Sequence, residues 1–383
     1  MAHIVVIGAG YAGALAALRL RRGRGHQVTL VNASPNFVER VRLHQAASSG
    51  HRVESPLAPL IAGRDSRLVT ERVTALRLDR REVQLEGGGV LTYDRLIYAL
   101  GSHTGSSGVP GVTEHAHRLT GPEAAGRLYE ALMARPAGRL LVVGGGLTGI
   151  EAATEIAEQH PGWQVTLMTG GTLGADLSPR GQEYLRRAFQ RLRIEILERQ
   201  RVTRLEAGQA FTADGRVQAF DLCLWAGSFD VSPLARESGF EVDRVGRIVV
   251  DAALRSVSHP EVYAIGDAAA SGLRMACATA MPMGAHAADN VLADLDGGAV
   301  QPHRFGYVVR CISLGRHDGL IQIVDRLDRP RDRIVTGRAG AFVKELICVF
   351  ARRSLDIEKR LPGAYLWVRS EMPASLLPLK SPA

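Results

Sequence analysis

One glycine-punctuated turn occurs twice in this chain, and nothing else constrains its fold so tightly. Residues 5–20 read VVIGAGYAGALAALRL and residues 142–156 read VVGGGLTGIEAATEI. In each, a β-branched apolar run meets glycines at G-x-G-x-x-G spacing and passes straight into a helix-forming run. The glycines are Gly8, Gly10 and Gly13, and later Gly144, Gly146 and Gly149. In such a turn the first glycine makes the tight bend, the second admits a pyrophosphate, and the third lets helix pack on strand. The helix N-terminus then turns its partial positive charge toward the phosphates. A further apolar strand follows each turn, QVTLV at 27–31 and VTLM at 165–168, completing a βαβ unit.

The repetition extends beyond the turns. VQLEGGGVLTYDRLIYALGS (83–102) and AFTADGRVQAFDLCLWAGSF (210–229) share a glycine-turned hairpin, an aromatic–Asp pair, an apolar strand and a terminal Gly-Ser. A duplicated unit explains both correspondences at once, so the chain is expected to hold two dinucleotides. Two such sites suit a nicotinamide delivering hydride to a second, tightly held redox ring. A third stretch, HPEVYAIGDAA (259–269), suggests which ring. Asp267, after Gly266, is placed to accept hydrogen bonds from the ribityl chain of a flavin. Pro282 is expected at the first position of the following helix, whose positive end would face the reduced flavin.

Bulk properties agree. A chain of 383 residues exceeds one ordinary core, so two or three domains are expected. No apolar run reaches the ~18 residues of a membrane span, and a strand runs directly into glycines where a signal peptide would need a cleavage site. The chain reads as cytoplasmic. Cys223, Cys277, Cys311 and Cys348 form no close pair, which argues against a zinc site or an adjacent redox dithiol, and no metal is expected. A net charge of +8 suits anionic cofactors, an acidic protein partner or an anionic membrane surface. No basic tract is interleaved with aromatics, so nucleic acid is not an expected partner.

Gly8-x-Gly10-x-x-Gly13, YDRLIYALGS, GGGLTGIE and VYAIGD stand in an order that resembles the two-dinucleotide-binding flavoproteins of the pyridine nucleotide–disulfide oxidoreductase fold. Within them the chain looks most like type II NADH dehydrogenases and apoptosis-inducing-factor-like oxidoreductases. The resemblance implies an α/β architecture with two Rossmann-like three-layer dinucleotide-binding domains, each with a β-hairpin insertion, and a small α+β C-terminal domain. Its expected division is 1–115 with 231–300 for FAD, 116–230 for NAD(P)H, and 301–383 on the acceptor side. It implies FAD contacts at Gly8, Gly10, Ala12, Gly13, Asn32, Arg42, Val73, Ala99, Gly101, Gly266, Asp267 and Met283. For NADH or NADPH it implies Gly144, Gly146, Thr148, Gly149, Glu151 and Gly227. His44 and Gln45 would border the isoalloxazine, or lie on an ordinary polar helix face. The activity implied is hydride transfer from NAD(P)H to FAD, then electron delivery to a quinone or another small acceptor.

Several positions depart from the family pattern. Asn32 replaces the acid expected at the end of the second strand, so its amide oxygen would hold the ribose more weakly. Residues 37–50, FVERVRLHQAASSG, lack the cysteines of the disulfide reductases, so a redox-active disulfide is not expected. In the nicotinamide half, Thr169 and Gly170 occupy the place that selects NADH or NADPH. Neither an acid nor an immediate arginine stands there, although Arg180 or Arg186 is near in sequence, and the coenzyme choice stays open. Met281 and Met283 stand where quinone-reducing relatives carry glutamines, and either line an acceptor slot or pack in the core. Two other activities therefore remain in view: reduction of an acidic ferredoxin-like protein, and biosynthetic chemistry on a specialised metabolite. Residues 306–325 alternate like a small sheet. In 340–360, Phe342, Val343, Leu346, Ile347 and Phe350 recur at helical spacing beside basic residues. That stripe fits peripheral membrane contact, and equally a helix packed on its own domain or across a homodimer.

Overall fold

The computed structural model of this chain describes residues 1–23, 25–63, 65–106 and 108–371. The part of the expected C-terminal domain at 372–383 lies outside the described residues. The first glycine turn joins β1 (His3–Ile7) to α1 (Tyr11–Leu20), which leads to β2 (Gln27–Asn32). A short helix, α2 (Leu43–Ser49), precedes β3 (Ser66–Thr70). The antiparallel strands β4 (Val73–Arg77), β5 (Glu82–Leu85) and β6 (Val90–Thr92) then lead into β7 (Arg95–Tyr98).

The second half repeats the plan. After β8 (His117–Arg118) come β9 (Gly138–Val143), α3 (Leu147–Gln159), β10 (Trp163–Met168) and β11 (Glu195–Leu197). The antiparallel β12 (Val202–Glu206), β13 (Gln209–Thr212) and β14 (Val217–Ala219) lead into β15 (Leu222–Trp225). β16 (Val262–Ala264) returns to the first sheet, giving the orders β16-β7-β1-β2-β3 and β8-β15-β9-β10-β11. Even the registers match: Ile7 pairs with Val31 and Tyr98, and Val143 with Met168 and Trp225. The fold class is the one expected, except that each insertion carries a third strand. The segments crossing between the halves, 102–104 and 229–231, pair antiparallel with one another.

Both parallel sheets are buried on both faces, as helix-covered sheets must be. Val5, Val6, Leu15, Leu18 and Tyr263 are buried in the core of the first half, and Leu140, Val142, Ile156 and Phe189 in that of the second. Pro282 is not at a helix start. α4 runs Cys277–Leu295 with Pro282 inside it; the turn before the proline is held on the Ala276 carbonyl by Thr279 Oγ1 and the Ala280 N–H, and the helix packs tightly on α1. A Cβ at Gly284 would lie 2.3 Å from the Ala12 carbonyl, and this packing offsets the one hydrogen bond the proline cannot make. The C-terminal sheet, β17 (Val309–Ser313), β18 (Gly319–Val324) and β19 (Pro330–Thr336), is covered by α5 (Gly337–Arg360). Among the described residues no helix is long and apolar enough to cross a membrane.

Candidate functional site

The two glycine turns share the same close approaches at corresponding glycines. Gly8 has φ +95° and Gly144 φ +122°, backbone that side chains strongly resist. A Cβ at Gly8 would meet the Ala99 carbonyl at 2.4 Å, and one at Gly144 the Ala226 carbonyl at 2.5 Å. A Cβ at Gly13 would meet Gly8 O at 1.9 Å, and one at Gly149 Gly144 O at 2.0 Å. Gly10 and Gly146 differ from these: a Cβ there would meet nothing within 4 Å. Both are helix N-caps without a side-chain cap, and neither first turn holds an acid. Open space beside uncapped amide groups is what a pyrophosphate needs, so the residues present fit a dinucleotide in both halves.

Around the first turn, Ala12 packs within 3.4 Å of the Cβ position of Gly266, and Gly101 and Gly266 both have φ +66°. Ser102 Oγ donates to Asp267 Oδ2 at 2.6 Å. Burial pushes the Asp267 carboxyl up, while the Ser102 hydrogen bond and Arg40 oppose it. Asn32 Oδ1 accepts from Ala9 N–H at 2.9 Å, and Nδ2 donates to Ser34 O at 2.7 Å. The second lone pair of that oxygen and the second N–H of Nδ2 are left for a ribose. Val73 lies half-buried on β4, and Met283, 2 % exposed, packs in the core. Arg42 is committed elsewhere: it forms a two-pronged pair with Glu345 (2.9 and 2.6 Å) and reaches Glu39 and Gln45. The cations whose charge acts on the Asp267 carboxyl are Arg40 and Arg247.

Around the second turn, Thr148 and Gly227 flank the opening, Gly227 against the Trp225 indole. Glu151, on the next helical position facing inward, is buried and joins three elements. Lys344 Nζ on α5 lies 2.9 Å from its Oε1, Ser313 N–H donates to the same oxygen at 3.0 Å, and His44 Nδ1 stands 3.7 Å from Oε2. Burial alone would raise the Glu151 pKa, but Lys344, His44 and the Ser313 N–H outweigh it and hold the group below its ordinary value. Burial likewise opposes the Lys344 charge, and Glu151 more than restores it. The pair is ionised. His44 is pushed down to about 4, chiefly by burial, so its ring is neutral at physiological pH. Its Nε2 is buried with no hydrogen-bond partner among the described residues.

Thus His44 and Glu151, assigned separately from sequence, meet in one cluster, whereas Gln45 sits beneath Arg42. Sequence reasoning missed Lys344 and Arg40. Lys344 carried one signal, a lone lysine inside the apolar run AFVKELICVF, but its partner Glu151 lies on a helix far away in the chain. Lys344 Nζ also reaches the carbonyl of Cys311 (3.5 Å). All four cysteines are free thiols, and burial raises the pKa of each.

Twin open phosphate turns, with a glycine–aspartate strand end beside the first, define a flavoprotein that binds two dinucleotides. The chain belongs to the pyridine nucleotide-disulphide oxidoreductase family, whose sequence pattern matches residues 2–288. It is an oxidoreductase that uses FAD and a pyridine nucleotide. It is 29% identical over 350 residues to an NADH dehydrogenase-like protein of Mycobacterium tuberculosis, covering 82% of this chain and 86% of that one. It is 27% identical over 387 residues to the type II NADH:quinone oxidoreductase of Staphylococcus haemolyticus, covering 90% and 93%. In fold it is similar to the sulfide:quinone oxidoreductase of Aquifex aeolicus, with a TM-score of 0.83 at 17% identity over 95% of this chain and 93% of that one.

Proposed function

We propose that this chain passes reducing equivalents from NAD(P)H through FAD to a membrane-dissolved quinone. The first turn, with residues 1–115 and 231–300, is assigned to FAD, residues 116–230 to the coenzyme, and the C-terminal residues from 301 to the acceptor side. One observation carries the reading: α5 joins the buried site to an apolar outer surface. On its inner face Lys344 pairs with Glu151. On its outer face Phe342, Leu346 and Phe350, four residues apart, are 64 %, 50 % and 59 % exposed. An apolar row of this kind, flanked by Arg338, Arg353 and Arg360, suits the surface of an anionic bilayer. The likeness to the staphylococcal type II NADH:quinone oxidoreductase supports the same acceptor.

A bound flavin supplies the capacity to take hydride from the coenzyme and release electrons to the acceptor. The chain supplies the rest. Gly10 and Gly146 let the two pyrophosphates approach the backbone, and Asp267, with Ser102 and Arg40, orients the ribityl chain. Glu151 keeps the proton on Lys344 Nζ, whose one N–H left over from Glu151 and the Cys311 carbonyl then donates to a polar group of the acceptor. Neutral His44 offers Nε2 on the same side. The buried pair places charge where water is excluded, which strengthens its action on the acceptor.

The test is steady-state oxidation of NADH and NADPH by the FAD-loaded chain, with a short-chain ubiquinone or menaquinone and with a ferredoxin. Salt-insensitive quinone turnover supports the reading. Turnover with ferredoxin alone, falling steeply with salt, would replace it with a protein acceptor.

A further inference from the structure

In a dinucleotide fold, the residue ending the second strand meets the 2′ position of the adenosine ribose. A carboxylate there holds a free hydroxyl, and a nearby arginine accommodates a 2′-phosphate. Register identifies that residue here. Gly8 N–H donates to Val31 O and Gly144 N–H to Met168 O, each at 2.8 Å, so Thr169 corresponds to Asn32. Thr169 also sits against the phosphate turn: a Cβ at Gly145 would come 2.7 Å from its Oγ1. Beyond it Gly170 and Gly171 present no side chain. The end of β11 and the segment after it are laced to these residues by backbone bonds, Thr169 N to Leu197 O (2.9 Å), Gln200 N to Thr169 O (3.0 Å) and Arg199 N to Gly171 O (3.1 Å). The lacing sets Arg201 directly behind Gly170, whose Cβ position lies 3.7 Å from the Arg201 Cβ.

Arg199 and Arg201 are exposed, and neither guanidinium has an ion pair among the described residues. The acid beside them in sequence is already spent: Glu198 Oε1 accepts from Leu173 N–H at 2.7 Å and from Arg186 Nη2 at 2.6 Å. Arg186 is thereby committed to Glu198. What remains around that position among the described residues is a threonine, two glycines, Arg201 without an ion pair, and Arg199, whose charge also acts on the already bonded Glu198.

We infer that Arg201, assisted by Arg199, binds the 2′-phosphate of NADPH, making NADPH the preferred coenzyme of this chain. The inference rests on reading the second glycine turn as the coenzyme site. Space at Gly170–Gly171 admits the phosphate, and a guanidinium fork matches its oxygens.

The experiment titrates the FAD-loaded full chain by calorimetry with adenosine 2′,5′-bisphosphate and with AMP, then measures anaerobic flavin reduction by NADPH and NADH. The bisphosphate is expected to bind about tenfold or more tighter than AMP, a margin that shrinks with added salt. Arg201→Gln should bring that ratio close to one and lower kcat/KM for NADPH at least ~tenfold more than for NADH. Gly170→Asp adds a carboxylate without a positive φ or a clash, and should reverse the preference toward NADH. Equal binding of both probes, or Arg201→Gln weakening both alike, would overturn the inference while leaving the coenzyme site intact. Failure of both coenzymes to reduce the flavin would instead remove the site assignment on which it rests.

Discussion

Glu155 is fully buried one helical turn beyond Glu151, its Oε1 lying 2.5 Å from Arg316 Nε. Burial raises its pKa to about 7 from an ordinary 4.5, with Arg316 opposing the rise and Glu158 adding to it. Below pH 4.5 the folded and unfolded chains both hold this proton. Between 4.5 and 7 the folded chain keeps a proton that the unfolded chain has lost, so stability falls as pH rises, and above 7 the loss is complete. At 1.36 kcal/mol per pH unit that interval corresponds to roughly 3 kcal/mol, taken as an upper bound. Glu155→Gln carries no such proton and abolishes the dependence. Urea unfolding of both proteins from pH 5 to pH 8 reads it directly, because every other titrating group is common to the two. The stability of the variant relative to the parent should rise across this range by up to ~3 kcal/mol. A difference constant to within about 0.5 kcal/mol would refute the reasoning.

Gly10→Ala should fold with stability changed by less than about 0.5 kcal/mol, since its φ of −71° suits any residue and a Cβ there meets nothing. It should nevertheless retain FAD at least ~tenfold more weakly, as absorbance after gel filtration reports. Gly146→Ala should keep FAD and lose reduction by the coenzyme, whereas Gly13→Ala, with a Cβ 1.9 Å from Gly8 O, should fail to fold. Lys344→Met leaves the Glu151 carboxylate buried without its cation and should lower the unfolding free energy by about 3–5 kcal/mol, most of it restored by adding Glu151→Gln. Phe342→Ser with Phe350→Ser should reduce co-sedimentation with anionic vesicles. If light scattering shows these changes splitting a dimer instead, the row is a subunit contact.

Much of this fold was legible because its signals are local. Glycine spacing, apolar strands and Gly-Asp each lie within a dozen residues, and the repeated hairpin and strand confirmed the duplication without any long-range information. The site was less legible because it is assembled from distant segments. His44, Glu151, Ser313 and Lys344 meet only after four distant elements pack together, and sequence spacing cannot encode that meeting. Arg42 and Arg40 illustrate the same limit: both are arginines in one short stretch, and only the place of Glu345 on α5 decides which is consumed by an ion pair. Pro282 misled because a proline at a helix start is a propensity, overridden here by close packing between α4 and α1. Arg201 escaped notice because it adjoins Gly170 across a loop and not along the chain.

The central claim is that one chain holds a flavin and a nicotinamide together through two separate phosphate turns. Anaerobic titration of the FAD-loaded chain with NADPH tests it most directly. The oxidised-flavin absorbance should bleach with an endpoint of one coenzyme per chain, and Gly146→Ala should hold the same flavin yet fail to bleach at that coenzyme concentration. Full flavin content with no bleaching by NADPH or NADH in the unaltered chain would contradict the account.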